Sequence, residues 1–365
     1  MRLPKVWAAA FVALLPVLPG CDRSPSGPQT KRIILLTNGP DPFWDAMRVG
    51  MEAAERDFHL AKAGLRVVRD VNDGTGKSQI DKLRQYGNQT DVAAVAISVT
   101  EVENSGIANA MNDLQKQGVK VIAIDSDLDR DKSRDARFAY LGTHNVVAGQ
   151  ELGKAAKGVK PDGGKYATFV GIKGAANAVE RIRGFAEGAG DKFTQVESLG
   201  DEMDHSVAIK NVKDALDRNP ELTVLVGIWA YNADAIVKVV QQRELRDKIT
   251  IVVFDAAELA IQDMEDGNID AMVVQNPYEM GYQGTKLMKA LVEDDKTTIH
   301  EMFPSWDPAT GKFNEPDGDV KFTGLKVVYP DRGSPLTKEM FAPATEFMKL
   351  SEFKKWLAEH NLKGS

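Results

Sequence analysis

Short apolar runs alternate with longer amphipathic stretches over most of this chain. The runs "RIILLTN", "LRVVRDV", "VAAVAIS" and "KVIAIDS" have the length and β-branched content of strands, whereas "PFWDAMRVGMEAAERDF" and "VENSGIANAMNDLQKQG" carry apolar residues at helical spacing. Strands that alternate with helices in this way predict βαβ units and a parallel sheet.

The same alternation starts again after "FAYLGTHN". Further strand-like runs follow, "YATFVGI", "TQVESLG", "LTVLVGIWA", "ITIVVFD" and "DAMVVQN", each succeeded by a helical stretch. We therefore predict an α/β protein with two doubly wound parallel-sheet lobes. Because no long linker separates the two series, we expect a hinge between them. We also expect "FPSWDPATGKFNEPDGDVKF" to be a loop and "EMFAPATEFMKLSEFKKWLAEHN" to form one or two helices.

The N-terminal residues 1–20 differ in composition from the rest. Arg2 and Lys5 precede an apolar run that ends before Cys21, the single cysteine of the chain, as in a secretory signal peptide. This run is shorter than the ~20 apolar residues that span a bilayer. The sequence "LPGC" resembles a bacterial lipobox, so we expect cleavage after residue 20, lipidation of Cys21 and a polar tether over residues 21–31. A chance cysteine after an ordinary signal peptide is the alternative.

Length and charge narrow the possible functions. A chain of 365 residues is expected to form about two domains. Its net charge of -7, with both signs mixed along the chain, disfavours a nucleic-acid partner, because phosphate binding needs a basic face. The histidines show no metal spacing, and no GxSxG or GxGxxG motif follows a predicted strand. We therefore expect no metal, no cofactor and no nucleic acid.

Two stretches resemble phosphate-binding, calcium-binding or phosphatase motifs. "NDGTGKS" ends like a phosphate-binding loop, but Val71 stands where that motif needs its first glycine, so we expect only a helix start there. "DSDLDRD" lacks the glycine and the bidentate acid of a calcium loop. Asp125 and Asp127 could instead be the nucleophile and acid of a magnesium-dependent phosphatase, although Leu128 and Asp129 fit that family poorly. This hypothesis remains the enzyme alternative.

Acidic, amide and aromatic residues follow several predicted strands. In open α/β sheets, ligands bind beyond the carboxyl ends of the strands. The residues at these ends, together with one arginine in "AVERIRGF", are Asp41, Phe43, Trp44, Asp125, Arg181, Trp229, Asp255 and Gln275. Acids would accept hydrogens from hydroxyl groups, the arginine and glutamine would bridge neighbouring oxygens, and the rings would cover C–H faces. The set predicts a site for a neutral polyol, while helix capping, turn formation and core packing remain alternatives for its single members.

The order of these elements resembles the periplasmic sugar-binding proteins of bacterial ABC importers, of the ribose-, allose- and galactose-binding type. The resemblance spans residues 31–293. It rests on the motifs "DPFWDAMRVGMEAA", "VIAIDSD", "ERIRGF", "DEMDHS", "GIWAYN", "VVFDA" and "VVQNPYEMG". It implies that the predicted residues bind a sugar, and it adds Met203, at the position where an aromatic residue commonly covers the sugar.

Three positions depart from the pattern of this family. Ser126 stands where an arginine often follows the strand-end acid, Met203 replaces an aromatic residue, and Trp229 replaces an asparagine. These changes should alter which hydroxyl groups are recognised, so the resemblance does not imply ribose itself.

The resemblance also implies a mechanism. Two lobes joined by three crossings, near residues 141–145, 275–277 and 323–327, would close around a monosaccharide and signal its presence to a membrane permease. The first lobe would comprise residues 32–142 and 277–323, and the second residues 143–276 and 324–365. We expect a monomer in the periplasm that is anchored to a membrane by the lipid on Cys21.

Other functions share parts of this pattern. Lac-repressor-type regulators have the same fold, but they begin with a helix-turn-helix where this chain has a signal peptide. A receptor that reports to a sensor kinase, or one that binds a furanosyl signal molecule, is not distinguished from a transport protein by the sequence.

Overall fold

The computed structural model describes residues 30–365, so the predicted signal peptide, Cys21 and most of the tether lie outside the described residues. The strands are β1 (Lys31–Leu36), β2 (Leu65–Asp70), β3 (Val92–Ile97), β4 (Lys120–Ile124), β5 (Tyr140–Gly142), β6 (Gly164–Val170), β7 (Phe193–Gly200), β8 (Leu222–Gly227), β9 (Thr250–Phe254), β10 (Ala271–Val274), β11 (Trp306–Asp307), β12 (Lys312–Phe313), β13 (Val320–Phe322), β14 (Lys326–Tyr329) and β15 (Glu346–Lys349). The helices are α1 (Phe43–Asp57), α2 (Gly76–Gly87), α3 (Ser105–Lys116), α4 (Arg130–Ser133), α5 (Asn145–Val159), α6 (Ala176–Ala189), α7 (His205–Arg218), α8 (Asn232–Gln242), α9 (Glu258–Glu265), α10 (Pro277–Glu293), α11 (Lys296–Met302) and α12 (Leu350–Glu359).

Two large sheets confirm the predicted fold class. The first has the strand order β13-β5-β4-β3-β1-β2 and is parallel throughout. The second has the order β15-β14-β10-β9-β8-β6-β7 and is parallel except between β10 and β14. In the first sheet the order in which strands are added changes direction between β1 and β3, and in the second sheet it changes between β6 and β8. Ligands of open α/β sheets bind at such switch points.

The chain passes between the two sheets three times, after β5, after β10 and after β13. We call the first sheet, with α1 to α4, α10, α11 and β11 to β12, the first lobe. The second sheet, with α5 to α9 and α12, is the second lobe. Helix α10 packs on α1 and β4, and α5 packs on α6 and β9. The predicted lobe limits remain a proposal, which the positions of these three passages support.

Burial on both faces explains the composition of the strands. Strands β3 and β10 are buried at every position, as expected where helices cover both faces of a parallel sheet. Helix α1 buries Trp44, Met47, Met51 and Ala54, which share one side of a helix at a spacing of three to four residues. Within residues 30–365, none of the helices combines the length and the apolar character needed to cross a membrane.

The segment that we expected to be a loop contains three strands. Strands β11 and β12 form a two-stranded antiparallel sheet, and β13 extends the first sheet beside β5. Phe313 of this segment packs on Phe138 and Phe303, with ring centroids 5.3 and 5.9 Å apart. The segment is rich in Pro, Gly and Asp, which favour a loop, so the local pattern did not reveal that its few apolar residues pack on the first lobe.

The C-terminal prediction was half wrong. Residues of "TEFMK" form β15, which pairs with β14, and the α-helix of this segment is confined to Leu350–Glu359. Strand pairing with a sheet edge is a tertiary interaction, so the local helical spacing of this tail could not reveal it.

The three passages lie side by side and are joined by hydrogen bonds. The N–H of Thr323 donates to the carbonyl of Gly142 at 2.8 Å. Thr143 Oγ1 donates to Gln275 Oε1 at 2.7 Å. This arrangement is that of a three-segment hinge.

Candidate ligand-binding site

One cavity between the lobes gathers every residue that the sequence predicted for ligand binding. The empty space between its walls, including space open to solvent, is about 340 Å³. Its walls are formed by Asn38, Asp41, Phe43, Trp44, Asp125, Asn177, Arg181, Met203, Trp229, Ala230, Asp255 and Gln275. Both lobes contribute, so a molecule in this cavity would touch both.

Asp41, Phe43 and Trp44 reach the cavity from the start of α1. Asp41 Oδ1 accepts a hydrogen bond from the N–H of Phe43 at 2.7 Å, so this acid also satisfies one of the amides left open at a helix N-terminus. The rings of Phe43 and Trp44 meet edge to face with centroids 5.0 Å apart, a favourable aromatic geometry. Both rings also pack in the core of the first lobe. They therefore act as core residues and as cavity wall.

Asp41, Asp125 and Asp255 bring three carboxyl groups to the same cavity. Burial, with repulsion by the other two acids, raises the pKa of Asp41 to about 7. Burial also raises the pKa of Asp125 to about 6, although Arg181 and a hydrogen bond from Ser98 Oγ at 2.9 Å oppose this effect. Burial raises the pKa of Asp255 as well. Carboxyl groups shifted in this way are typical of functional sites.

Arg181 is the cation among the cavity residues, and it is held on several sides. Its Nε donates to Asn145 Oδ1 at 3.0 Å, and Nη1 donates to the carbonyl of Ile228 at 3.2 Å. Nη1 also lies 3.8 Å from Asp255 Oδ2, and the guanidinium carbon lies 4.6 Å from the centre of the Phe254 ring. The guanidinium group is therefore fixed before any ligand binds, which lowers the entropic cost of binding.

A buried carboxylate organises the second-lobe wall. Asp201 Oδ2 accepts a hydrogen bond from Asn232 Nδ2 at 2.9 Å, and Asn232 Oδ1 accepts from the N–H of Trp229 at 3.0 Å. Asp201 Oδ1 accepts from the N–H of Met203 at 2.9 Å. The Trp229 indole lies against Gly171, where a side chain would collide with the ring. Asp201 thus positions both residues that depart from the family pattern at this wall.

Gln275 connects the cavity to the hinge. Its Nε2 donates to Asp255 Oδ1 at 2.9 Å, while its Oε1 accepts from Thr143 Oγ1 at 2.7 Å. Thr143 and Gln275 lie on two different passages between the lobes. Direct hydrogen bonds therefore couple Asp255 to two of the segments that join the lobes.

Four buried polar atoms of the cavity walls have no hydrogen-bond partner within residues 30–365. They are Trp44 Nε1, Trp229 Nε1, Arg181 Nη2 and Asn177 Oδ1. Buried polar atoms without a partner are rare in folded proteins, because each costs about 1–3 kcal/mol. Three donors and one acceptor around one cavity can be satisfied together by a ligand that carries several hydroxyl groups.

Sequence reasoning missed three wall residues, Asn38, Asn177 and Ala230. Asn177 lies one turn before Arg181 on α6, so the i, i+4 rule applied to that arginine would have found it. Its Nδ2 donates across the cavity to Asp125 Oδ2 at 3.4 Å. Asn38 lies two residues after the end of β1, and the strand-end rule that singled out Asp41 covers it too.

The stretch "NDGTGKS" behaves as a helix start, as predicted. Helix α2 begins at Gly76, and Thr75 Oγ1 accepts a hydrogen bond from the N–H of Ser78 at 3.2 Å. The N–H of Gly76 donates to Glu101 Oε1 at 3.2 Å. A carboxylate thus lies against an amide that a phosphate loop would offer to its ligand.

The proposed phosphatase pair is split between two environments. Asp125 faces the cavity, but Asp127 is paired with Arg137, whose Nε and Nη2 donate to its two carboxylate oxygens at 2.9 and 2.6 Å. Because Arg137 occupies both carboxylate oxygens and Asp127 does not line the cavity, the arrangement gives the enzyme alternative no support. Among residues 30–365, no group of three or more His, Cys, Asp and Glu side chains is arranged to hold a metal ion.

Several known proteins are similar to this chain in sequence or in fold. The D-allose-binding periplasmic protein of Escherichia coli K12 is 23% identical over 268 residues, which cover 70% of this chain and 82% of that protein. An ABC transporter solute-binding protein from Burkholderia graminis, solved in complex with D-arabinose, has a TM-score of 0.69 at 23% identity and covers 87% of this chain and 99% of its own. The XylFII–LytSN complex has a TM-score of 0.66 at 23% identity, covering 73% of this chain and 95% of that chain.

The family itself is established by the sequence match to its domain. Residues 33–296 match the periplasmic binding protein domain. They include both sheets except β13 to β15. The chain therefore belongs to the periplasmic binding protein family.

Proposed function

We propose that this protein is the substrate-binding lipoprotein of an ABC importer, which captures a monosaccharide by hinge closure and delivers it to a membrane permease. The ligand would be a pentose, a hexose or a related polyol. The observation that carries the proposal is the set of four buried, unpartnered polar atoms, on Trp44, Asn177, Arg181 and Trp229, around one cavity that both lobes form.

The chemistry of the walls suits a neutral sugar. Hydroxyl groups would donate to the carboxyl oxygens of Asp125 and Asp255 and accept from Arg181 and the two indole N–H groups. The rings of Trp44 and Trp229 would cover the C–H faces. Similar proteins support a monosaccharide as the ligand, since one relative is a D-allose-binding protein and one structural neighbour is in complex with D-arabinose.

The distribution of the wall residues over both lobes supports hinge closure. Asp41, Phe43, Trp44 and Asp125 lie in the first lobe, whereas Arg181, Met203, Trp229 and Asp255 lie in the second. A ligand that bonds to both groups stabilises the closed arrangement over an open one, in proportion to its difference in affinity for the two. The closed form is then what a permease in the inner membrane would recognise.

A thermal-shift screen tests the proposal. The purified protein is heated with single pentoses, hexoses and polyols, and with their phosphates plus magnesium. A bound ligand at 100 times its dissociation constant adds about 2.7 kcal/mol to the stability. We expect one or a few neutral monosaccharides to raise the melting temperature. A shift with a sugar phosphate and magnesium only would contradict the proposal and favour the phosphatase.

We propose a location in the periplasm, with Cys21 as the lipid attachment site. The family and the N-terminal sequence support this placement. A lipid at Cys21, followed by a short polar tether, would keep the binding protein close to its permease, and we propose that the protein acts as a monomer.

A receptor is the second candidate. One structural neighbour is solved as a complex of XylFII with LytSN, so a protein of this fold can bind a partner protein. Deleting the gene distinguishes the two candidates. Loss of uptake of the bound sugar supports transport, whereas normal uptake with a lost transcriptional response supports a receptor.

A further inference from the structure

Met203 reaches from the second lobe across the cleft into the first. A Cβ atom added to Gly39 would lie 2.6 Å from Met203 Sδ and closer still to Cε. A Cβ atom added to Gly74 would lie 3.3 Å from the same sulfur. The thioether therefore occupies a slot whose two sides, Gly39 and Gly74, have no side chains. Gly39 itself is not part of the cavity wall.

The slot is formed by two loops that are tied together in the first lobe. Thr37 Oγ1 donates to the carbonyl of Gly39 at 2.9 Å and accepts from the N–H of Asn72 at 3.1 Å. Asn72 Nδ2 donates to the carbonyl of Asn38 at 3.3 Å. Because these bonds lie within one lobe, the shape of the slot does not depend on hydrogen bonds from the second lobe.

The backbone that carries Met203 is held in an unusual conformation. Glu202 and Met203 have φ values of 51° and 66°, a left-handed region that costs a non-glycine residue free energy and persists only where the surroundings enforce it. Asp201 is 1% exposed. Its carboxylate accepts hydrogen bonds from the N–H of Met203, from the side-chain amide of Asn232 and from the hydroxyl of Tyr231. This arrangement points the thioether at the opposite lobe.

We propose that Met203 is a closure-determining residue, whose thioether enters the slot between Gly39 and Gly74 when the lobes close. The inference rests on the proposed hinge closure and adds a contact that stabilises the closed state without involving the ligand. A flexible, polarisable methionine suits such a contact, since it adapts to an irregular gap. Affinity for the ligand then depends on a pair of residues, 39 and 203, of which one never touches the ligand.

A cross-linking experiment tests the contact without a known ligand. Gly39→Cys and Met203→Cys are combined in a Cys21→Ser background and treated with a short bifunctional maleimide, alone and with D-ribose, D-allose or D-arabinose. We expect an intramolecular cross-link in this pair and little in the control pair of Gly39→Cys with Lys210→Cys, an exposed residue further along α7. Equal cross-linking of both pairs, or none in either, would overturn the proposal.

A double-mutant cycle tests the energetic role with whichever of these sugars binds the wild type. We expect Gly39→Ala to weaken binding about tenfold, since an added methyl group overpacks the slot. In a Met203→Ala background, the same change should alter affinity less than twofold. Gly174→Ala is the matched control, because a Cβ at Gly174 meets no atom within 4 Å.

The outcomes separate this inference from the proposed function. Effects of Gly39→Ala and Met203→Ala that multiply independently, or no effect of Gly39→Ala, would contradict the slot while sugar binding stands. A wild type that binds no sugar in the thermal-shift screen would contradict the proposed function, and the cross-linking result would still decide whether Met203 meets Gly39.

Discussion

Asp125 and Asp255 hold corresponding places in the two lobes. Asp125 directly follows β4, which is the fourth strand counted from β2, and Asp255 directly follows β9, which is the fourth strand counted from β7. Each has a left-handed backbone, with φ of 64° and 62°, and each carboxyl group faces the common cavity. Aspartate tolerates this conformation better than most residues. The first five strands of each lobe follow the same order, so the two lobes present matching carboxyl groups to the common cavity.

This symmetry predicts the effect of neutralising either acid. Asp125→Asn and Asp255→Asn should each weaken sugar binding about ten- to one-hundredfold, because a hydrogen bond to a charged group contributes ~1.5–3 kcal/mol. The melting temperature of the sugar-free protein should not fall, since burial already disfavours both charges. Calorimetric titration measures the affinity, and Asp131→Asn, an exposed residue outside the cavity, is the control. Unchanged affinity in both cavity variants would show that the ligand binds elsewhere.

The raised pKa of Asp41 predicts how stability changes with pH. Its carboxyl group has a pKa of about 7 in the folded protein, against ~3.9 in an unfolded chain. The folded state therefore binds the proton more tightly, and this acid's contribution to stability is fully present below pH ~4 and is lost as the pH rises towards 7.

Asp41→Asn removes that dependence while its side-chain oxygen can still accept from the N–H of Phe43. Relative to the wild type, the variant should gain at least about 2 °C in melting temperature between pH 5 and pH 8. Thermal unfolding of both proteins across this range measures the difference. A difference that stays constant with pH would contradict the assigned shift.

A buried ion cluster near the third passage predicts a large loss of stability. Asp319 precedes β13 and accepts hydrogen bonds from Arg134 and Arg137, and the arginines lower its pKa. Asp319→Ala leaves the buried Arg137 with fewer partners, so we expect a loss of ~3–5 kcal/mol. Urea unfolding gives the value.

The control for this prediction is an exposed pair. Asp81 binds Lys77 at 2.6 Å on the surface of α2, and such pairs contribute ~0–1 kcal/mol. Asp81→Ala should therefore unfold close to the wild type. Equal losses for the two variants would show that the Asp319 cluster does not stabilise the fold.

The proposed lipidation of Cys21 predicts that the location of the protein depends on this residue. The wild type should fractionate with membranes and carry a mass increase at its mature N-terminus, whereas Cys21→Ala should appear in the soluble fraction or as an uncleaved precursor. Mass spectrometry and fractionation of cells test this, with Ser24→Ala in the tether as the control. A wild-type protein without added mass would contradict the lipid anchor.

The strands and helices around the cavity could be predicted from the sequence, because apolar runs and helical spacing are visible within a few neighbouring residues. The apolar run of β3 and the spacing of Trp44, Met47 and Met51 on α1 need no knowledge of the remaining fold. The strand-end rule then placed Asp125 and Asp255 at one edge, since parallel strands share the direction of their carboxyl ends.

Features that depend on tertiary contacts were beyond local reasoning. The pairing of β15 with β14 and of β13 with β5 depends on distant strands. The same is true of Asp201, which appears in the sequence as an ordinary turn acid and acts through hydrogen bonds to Met203 and Asn232. The slot at Gly39 and Gly74 is visible only once the two lobes are placed together.

Isothermal titration of the purified protein with the sugars that raise its melting temperature tests the central claim most directly. We expect one monosaccharide to bind with a stoichiometry of one and a dissociation constant near 1 μM, about -8.2 kcal/mol. Arg181→Ala should remove that binding, because its guanidinium group lies in the cavity wall with Nη2 unpartnered within residues 30–365. A protein that binds no monosaccharide, or one whose Arg181→Ala variant binds as tightly as the wild type, would contradict the account.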